Sequence, residues 1–558
     1  MSKRTGGQIL VDQLKIHGTS HVFCVPGESY LAVLDALHDV DIRTIVCRQE
    51  GGAAYMAEAV GKITGAPGIV MVTRGPGATN GSCGIHVASQ DSTPLIMFVG
   101  QVARDMKERE AFQELDYKAV FGSMAKWVVE IDRAERIPEI VSRAFHVATQ
   151  GRPGPVVIAL PEDMLTDQVE VADARPFAPV VMKPGPSDME ALQRRLLEAE
   201  RPIVLAGGSG WSAQGVADLT RFAENFDLPV AVTFRRQMLF PADHPNFAGD
   251  LGIGPNPKLL ERVKNADLVL LVGGRLSEMP SQSYTLFDIP GDGSKLVHVH
   301  PGAEELNKVY RAGLGILATP HAFAAAAAQL PKPNAVKWTG APGSAHAEYL
   351  AWSDTSKVRT AGALQMAEVM AHLREVMPVD TVYCNGAGNY ATWVHRFWPF
   401  RAFASQLAPT SGTMGYGVPA AVAAKALNPA REVMAFAGDG CFMMNGQEFA
   451  TMMQYDLPVI VVVVDNGMYG TIRMHQEREY PGRISATALK NPDFAALARS
   501  YGGHGETVRA TADFAPALER ARKSGKPAII HCLLDPEAIT PARSLSDIRN
   551  TALKNQQT

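Results

Sequence analysis

The stretch GDGCFMMNGQEFATMMQYDLPVIVVVVDNGMYG, Gly438–Gly470, decides the fold. Glu432–Ala437 reads as an apolar strand that runs into Gly438-Asp439-Gly440, and Val459–Val464 as a second strand that runs into Asp465-Asn466. Between them, Asn445 with Glu448 three residues on has the pattern of a capping box, opening a helix through Tyr455 that Leu457-Pro458 ends. Strand, helix and strand in this order make a βαβ unit, whose right-handed crossover leaves the two strands parallel. Asp439 and Asn466 therefore emerge at the same carboxyl edge, where open α/β sheets bind ligands. A carboxylate, an amide oxygen and a nearby main-chain carbonyl form a sparse hard-oxygen set that suits Mg²⁺, which completes its octahedron with water and phosphate. The glycines let the backbone approach a diphosphate, and the helix N-terminus favours its charge.

Short apolar runs alternate with helical patterns along nearly all 558 residues, which predicts α/β architecture with parallel sheets. That length implies two to four domains. Strands are expected at His21–Val25, Ile42–Cys47, Gly68–Thr73, Leu95–Val99 and Pro155–Leu160; at Ile203–Ala206, Pro229–Thr233, Leu268–Val272 and Leu296–His300; and at Thr381–Cys384, Val433–Ala437, Val459–Val464 and Ala528–Leu533. The Pro-rich Ala174–Ser187 reads as one linker, and the stretch after the alanine run near 325 as a second. Three doubly wound parallel-sheet domains follow, over residues 1–170, 186–332 and 360–535, with a tail at 536–558 whose Pro-rich start permits a lid.

Composition narrows the function classes. Apolar content of 46% with 20% charged residues describes a soluble globular chain, and a net charge of −4 favours neither nucleic acid nor an anionic membrane. The longest aliphatic run is too short to span a bilayer. The opening MSKRTGGQILVDQLKIHG lacks an apolar core and reads as an amphipathic helix, not a signal peptide. Six scattered cysteines without a CxxC fit buried free thiols in a reducing cytoplasm.

The Gly438–Gly470 stretch resembles the signature of thiamine diphosphate (ThDP) enzymes, in which GDG, a helix and a strand lead to Asn-Asn; here the first Asn is Asp465. By that resemblance Asp439, Asn466 and the carbonyl of Met468 hold Mg²⁺, and ThDP needs a glutamate against its aminopyrimidine. Glu50 answers this demand, closing the strand IRTIVC and opening an Ala-rich helix. Further segments, TRGPGATN (Thr73–Asn80), REAFQELD (Arg109–Asp116) and SGTMGYGVPAA (Ser411–Ala421), are similar to the acetolactate synthase branch, in order and over essentially the whole chain. The resemblance names the domains pyrimidine-binding, central Rossmann-like and diphosphate-binding. It places Pro26, Gly27, Glu50, Thr73, Pro76, Gly77 and Asn80 on the thiazolium and pyrimidine side. Gly388, Asn389, Tyr390, Gly412, Met414, Gly438, Asp439, Gly440, Cys441, Asn466, Met468, Tyr469, Gly470 and Thr471 fall on the other side, with Met414 as the wedge that bends the cofactor. The family builds its site across a subunit interface, which implies a homodimer or a tetramer with a small 2-oxoacid or acyl substrate.

The reaction implied is decarboxylation of a 2-oxoacid and transfer of the resulting carbanion to an acceptor, with Gln113, Gly27, Glu28 and His475 joining Glu50 as candidates around the reacting atoms. The His-His pair of pyruvate-type decarboxylases is missing, which argues against simple decarboxylation. Several positions depart from the branch: Arg74 replaces a serine, Glu28 a glycine and His475 a tryptophan, while Arg473 adds a further charge. They leave a 2-hydroxyacyl-CoA lyase, an oxalyl-CoA decarboxylase or a sulfoacetaldehyde-type acetyltransferase open as alternatives. The charges admit two readings, an anionic substrate or solvated loops. LAGGSG (Leu205–Gly210) and VGGR (Val272–Arg275) follow strands without a full GxGxxG, so FAD is allowed but not favoured. His298 and His300 alternate on a strand and are expected to be structural.

Overall fold

The computed structural model describes residues 2–557. Eighteen strands form three six-stranded sheets, each parallel throughout. The first contains β1 (His21–Cys24), β2 (Arg43–Val46), β3 (Gly68–Val72), β4 (Leu95–Gln101), β5 (Trp127–Glu130) and β6 (Pro155–Pro161), in spatial order 2-1-3-4-6-5. The second contains β7 (Pro202–Ala206), β8 (Val230–Thr233), β9 (Phe247–Leu251), β10 (Leu268–Val272), β11 (Leu296–His300) and β12 (Leu314–Leu317), in the dinucleotide-fold order 9-8-7-10-11-12. The third contains β13 (Val382–Asn385), β14 (Gln406–Leu407), β15 (Val433–Gly438), β16 (Ile460–Asp465), β17 (His504–Val508) and β18 (Ala528–Leu533), ordered 14-13-15-16-18-17. The first and third sheets thus share one topology. Their central strands are buried on both faces, which is why they read as unbroken apolar runs.

Five strands of these three sheets escape the sequence reading: β5, β9, β12, β14 and β17. All five are sheet edges. An edge strand is covered by one neighbour only and is free to carry polar residues, as in WVVE of β5 and HGETV of β17, both mostly half-buried. The second expected linker also holds a helix, Ala341–Trp352, whose Tyr349 ring meets Phe247 of β9 edge-on at 4.8 Å between centroids. Pro342 and Gly343 near its start conceal it in the sequence, although a first-turn proline suits a helix.

The chain separates into two compact units, Met1–Val180 with Val422–Leu427, and Val181–Ala421 with Asn428–Thr558. The second unit contains both later sheets. Gln237 joins them: its backbone N–H donates to Gln406 Oε1 at 2.7 Å, its amide donates to the His395 carbonyl at 2.7 Å, and its Oε1 accepts from Gln406 Nε2 at 2.8 Å. Asp250, at the end of β9, touches the same joint through Gln237 Nε2 at 3.3 Å, and burial pushes its carboxyl up to about 7. A carboxyl raised in the fold binds its proton more tightly there than in the unfolded chain. Its cost is therefore absent at acid pH and grows as pH rises from the ordinary carboxylate range through about 7. Asp250→Asn should raise the melting temperature at pH 8 and leave it nearly unchanged at pH 4, which thermal unfolding at the two pH values checks.

Candidate active site

In a doubly wound sheet the crossovers diverge at the switch point and leave a crevice. In the third sheet that point lies between β13 and β15, and a cavity of about 230 Å³ opens there. The loop after β13 supplies Gly388, Asn389 and Tyr390; the loop after β15 supplies Gly438, Asp439, Gly440 and Cys441; and the turn after β16 supplies Asn466, Met468, Tyr469, Gly470 and Thr471. Gly412 and Met414 complete the expected set, so every residue assigned to this side lines one cavity. Ile472, Ala538 and Ile539 line it as well, the last two from the tail.

The walls are braced from within. The Tyr390 hydroxyl accepts the Gly386 N–H at 3.0 Å and lies 3.1 Å from Cys441 Sγ, which accepts the Gly415 N–H at 3.2 Å. Asn389 and Thr471 bond reciprocally, N–H to Oγ1 at 3.0 Å and Oγ1 to Oδ1 at 2.9 Å. A Cβ on Gly440 would stand 2.6 Å from the Tyr469 ring, so the loop and the ring close together only with glycine there. The helix of Gly438–Gly470 starts differently from expectation. It begins at Asp439, directly out of the strand, and runs to Asn445; a 3₁₀ turn, Gly446–Glu448, then leads into Phe449–Gln454. Asn445 makes no capping bond and Glu448 instead accepts the Thr451 hydroxyl at 2.6 Å, because both side chains are buried.

Asp439 and Asp465 lie side by side at the carboxyl edge of the third sheet. Asn491 Nδ2 donates to both, at 2.7 Å to Asp439 Oδ2 and 2.8 Å to Asp465 Oδ1. Burial pushes the Asp439 carboxyl up to about 6, against the Asn491 bond and with the Asp465 carboxylate adding to the rise. Burial opposes the Asp465 charge too, but bonds from His531, Gly467 and Asn491 outweigh it and hold that carboxyl below its ordinary range. The Asn466 amide makes no hydrogen bond with another described residue and faces the cavity.

In the first unit the switch point lies between β1 and β3. Glu50 is the first residue of the helix Glu50–Thr64, half-buried, and its Oε2 accepts from Asn80 Nδ2 at 3.0 Å. Gly77 packs against Glu50 Oε1, where a Cβ would be 3.4 Å away, and a Cβ on Gly27 would clash with Thr73 at 2.5 Å. Gly27, Glu50, Thr73, Gly77 and Asn80 thus form one cluster, with Pro26 and Pro76 exposed at the rim.

The structure separates the added charges: Arg74 and Arg473 are buried, whereas Glu28 and His475 are not. Arg74 is buried and committed: it donates to Glu162 Oε2 at 2.8 Å, to the Phe112 carbonyl at 3.1 Å and to Glu28 Oε1 at 3.5 Å. It therefore clamps the loop carrying Gln113, which is half-buried at φ +65°, next to Gly75. Glu28 is otherwise exposed. Arg473 is buried and donates to Thr487 Oγ1 at 2.7 Å, stapling the segment that pairs with Met468. His475, on the helix Gly470–Glu479, lies half-exposed with Nδ1 2.6 Å from an Arg478 nitrogen, outside the lining of the switch-point cavity. Sequence reasoning missed Asn491, His531 and the tail anchor, in which Arg549 grips the buried Glu477 through two bonds of 2.7 and 2.6 Å. Only the tertiary fold assembles these pairs.

The donor set fits a hydrated divalent cation with a diphosphate: a buried carboxylate, an amide without a partner among the described residues, and the N-terminus of the helix Gly470–Glu479 at the same cavity. The glycines of the central sheet fit a dinucleotide less well. A Cβ on Gly208 would lie 1.8 Å from the Gly273 carbonyl and one on Gly207 2.2 Å from Thr233, while Trp211 and Arg236 occupy the Gly207 and Gly208 carbonyls. These glycines serve the packing of two loops. His298 and His300 are buried and hydrogen-bonded to backbone, at 2.9 Å each, and burial holds both below the ordinary histidine value.

Comparison with known families agrees with this arrangement. Residues 4–120 match the thiamine pyrophosphate enzyme N-terminal TPP binding domain, 189–327 its central domain and 386–532 its C-terminal TPP binding domain. The chain belongs to the thiamine pyrophosphate (thiamine diphosphate) enzyme family. Within it the chain is acetolactate synthase-like: it is 30% identical to a probable acetolactate synthase large subunit of Methanocaldococcus jannaschii, over 96% of this chain and 93% of that one. It is also 30% identical to the acetolactate synthase isozyme 2 large subunit of Escherichia coli, over 95% of each, and 31% identical to the large subunit of Lactococcus lactis, over 89% and 87%.

Proposed function

We propose that this protein is a ThDP- and Mg²⁺-dependent carboligase that decarboxylates a 2-oxoacid and transfers the resulting carbanion to an acceptor. The observation that carries this reading is the switch-point cavity, where Asp439, Asn466 and the glycine loops converge. Asp439, Asn466 and the Met468 carbonyl would hold Mg²⁺; Gly388, Asn389, Gly440, Gly470 and Thr471 would hold the diphosphate, and Gly412 and Met414 the pyrimidine. When bound, ThDP supplies a carbon nucleophile and an electron sink. Glu50 would hold and move a proton at Oε1, since Asn80 engages Oε2. Gln113, held by the Arg74 clamp, and Gly27 orient the substrate. The domain partition at 1–170, 186–332 and 360–535, with the tail as a lid, belongs to the same reading; Ala538 and Ile539 against the cavity support the lid.

We also place the two half-sites in a homodimer, each completed by the partner subunit, with a tetramer as the larger assembly. Large apolar side chains left exposed beside each half support this: Phe112 in the first unit, and Met443, Met444 and Ile472 in the second. A cytoplasmic location is consistent with six free cysteines and with no described helix long and apolar enough to cross a membrane. Flavin is not part of the proposal.

The test is purified protein with ThDP and Mg²⁺ against pyruvate and longer 2-oxoacids, scoring CO₂ release and ligated hydroxyketo acid separately. Ligated product close to one per CO₂ supports carboligation. CO₂ with free aldehyde, or no CO₂ at all, overturns it.

A further inference from the structure

Two buried carboxylates, Asp439 and Asp465, are held together by one amide. Asn491 stands just before the helix Phe494–Ser500 and uses its Nδ2 on both. Asp465 is itself anchored twice more. Its Oδ1 accepts the Gly467 N–H at 2.9 Å, and its Oδ2 faces His531 Nε2 at 2.9 Å. The Gly467 bond closes a turn at φ +68° that presents Asn466 on one side and Met468 on the other. His531, on β18, and Asp465, at the end of β16, thereby fix the turn to the sheet.

Resting on the ThDP–Mg²⁺ reading above, we propose that Asn491 and Asp465 are positioning residues of the divalent-cation site. Asn491 takes Oδ2 of Asp439 and so fixes the orientation of that carboxylate. Asp465 holds the turn that carries the other two oxygen donors and sets a second negative charge beside the cation. An asparagine at 465 could keep the Gly467 bond but removes that charge, so the Asp-Asn pair makes a more anionic site than the Asn-Asn pair of the signature. Outer partners that orient metal ligands typically account for 10–100-fold in metal affinity.

Mn²⁺ is the probe, titrated into ThDP-containing protein and followed by the paramagnetic resonance of the free aquo ion, with circular dichroism as the check on folding. Asn491→Ala should bind Mn²⁺ roughly 10–100-fold more weakly than the parent, and the near-isosteric Asp465→Asn roughly tenfold more weakly. Should Asn491→Ala fail to fold, Asp465→Asn decides. Parent-like Mn²⁺ affinity in the folded variants overturns the positioning roles while leaving the cofactor reading intact. A parent protein that takes up no Mn²⁺ with ThDP present sinks the cofactor reading and the positioning roles with it.

Discussion

Glu50→Gln lowers turnover by about 10²–10⁴-fold, the range of a positioned proton-transfer group. The glutamine keeps the shape and a carbonyl oxygen for Asn80 Nδ2, so the cluster of Gly27, Thr73 and Gly77 around it stays packed. What it cannot do is exchange a proton with the pyrimidine ring. Mg²⁺-ThDP affinity, which rests on the other half-site, should therefore stay near that of the parent. Isothermal titration with Mg²⁺-ThDP and a CO₂-release assay separate the two effects. Full turnover in this variant would remove Glu50 from the chemistry.

Asp439→Asn has the opposite signature, losing the cofactor itself. Asp439 would supply the one side-chain charge among the proposed cation ligands. Removing one partner from a buried charge pair costs about 3 kcal/mol or more. At 1.4 kcal/mol per tenfold, this weakens Mg²⁺-ThDP binding by roughly a hundredfold or more. Without cofactor the variant should be at least as stable as the parent at neutral pH. Burial and the neighbouring Asp465 disfavour the Asp439 charge, and an amide removes that penalty while still accepting from Asn491. A melting temperature that rises without cofactor but no longer responds to Mg²⁺-ThDP is the expected pair of results. A parent-like response to the cofactor would exclude Asp439 as a ligand.

How much was legible follows from how far apart the cooperating residues lie. The thirteen strands expected from the sequence are all present, because most are wholly or nearly continuous apolar chain; Arg43–Val46, itself an edge, is the exception. The five missed ones are edges, whose single neighbour leaves no such run. The proposed cofactor half-sites were legible for a related reason. A βα turn brings adjacent residues to the sheet edge, so the turns at Gly438-Asp439-Gly440, Asp465-Asn466 and Glu50 can be read from a few letters.

The charges were not legible. Sequence neighbours made Arg74 and Arg473 look like pocket or solvent residues, yet Arg74 reaches Glu162 and Arg473 reaches Thr487. In the sequence Asp465 is only a departure from the Asn-Asn signature; its bonds to Asn491 and His531 place it in a buried network. By itself the sequence determined most of the sheet strands, the family and the βα turns that line the cavity, because local pattern and contiguous motifs encode them. Only the tertiary structure decided what each buried charge faces, because a charge is neutralised by whatever the fold brings alongside it, often from residues distant in sequence.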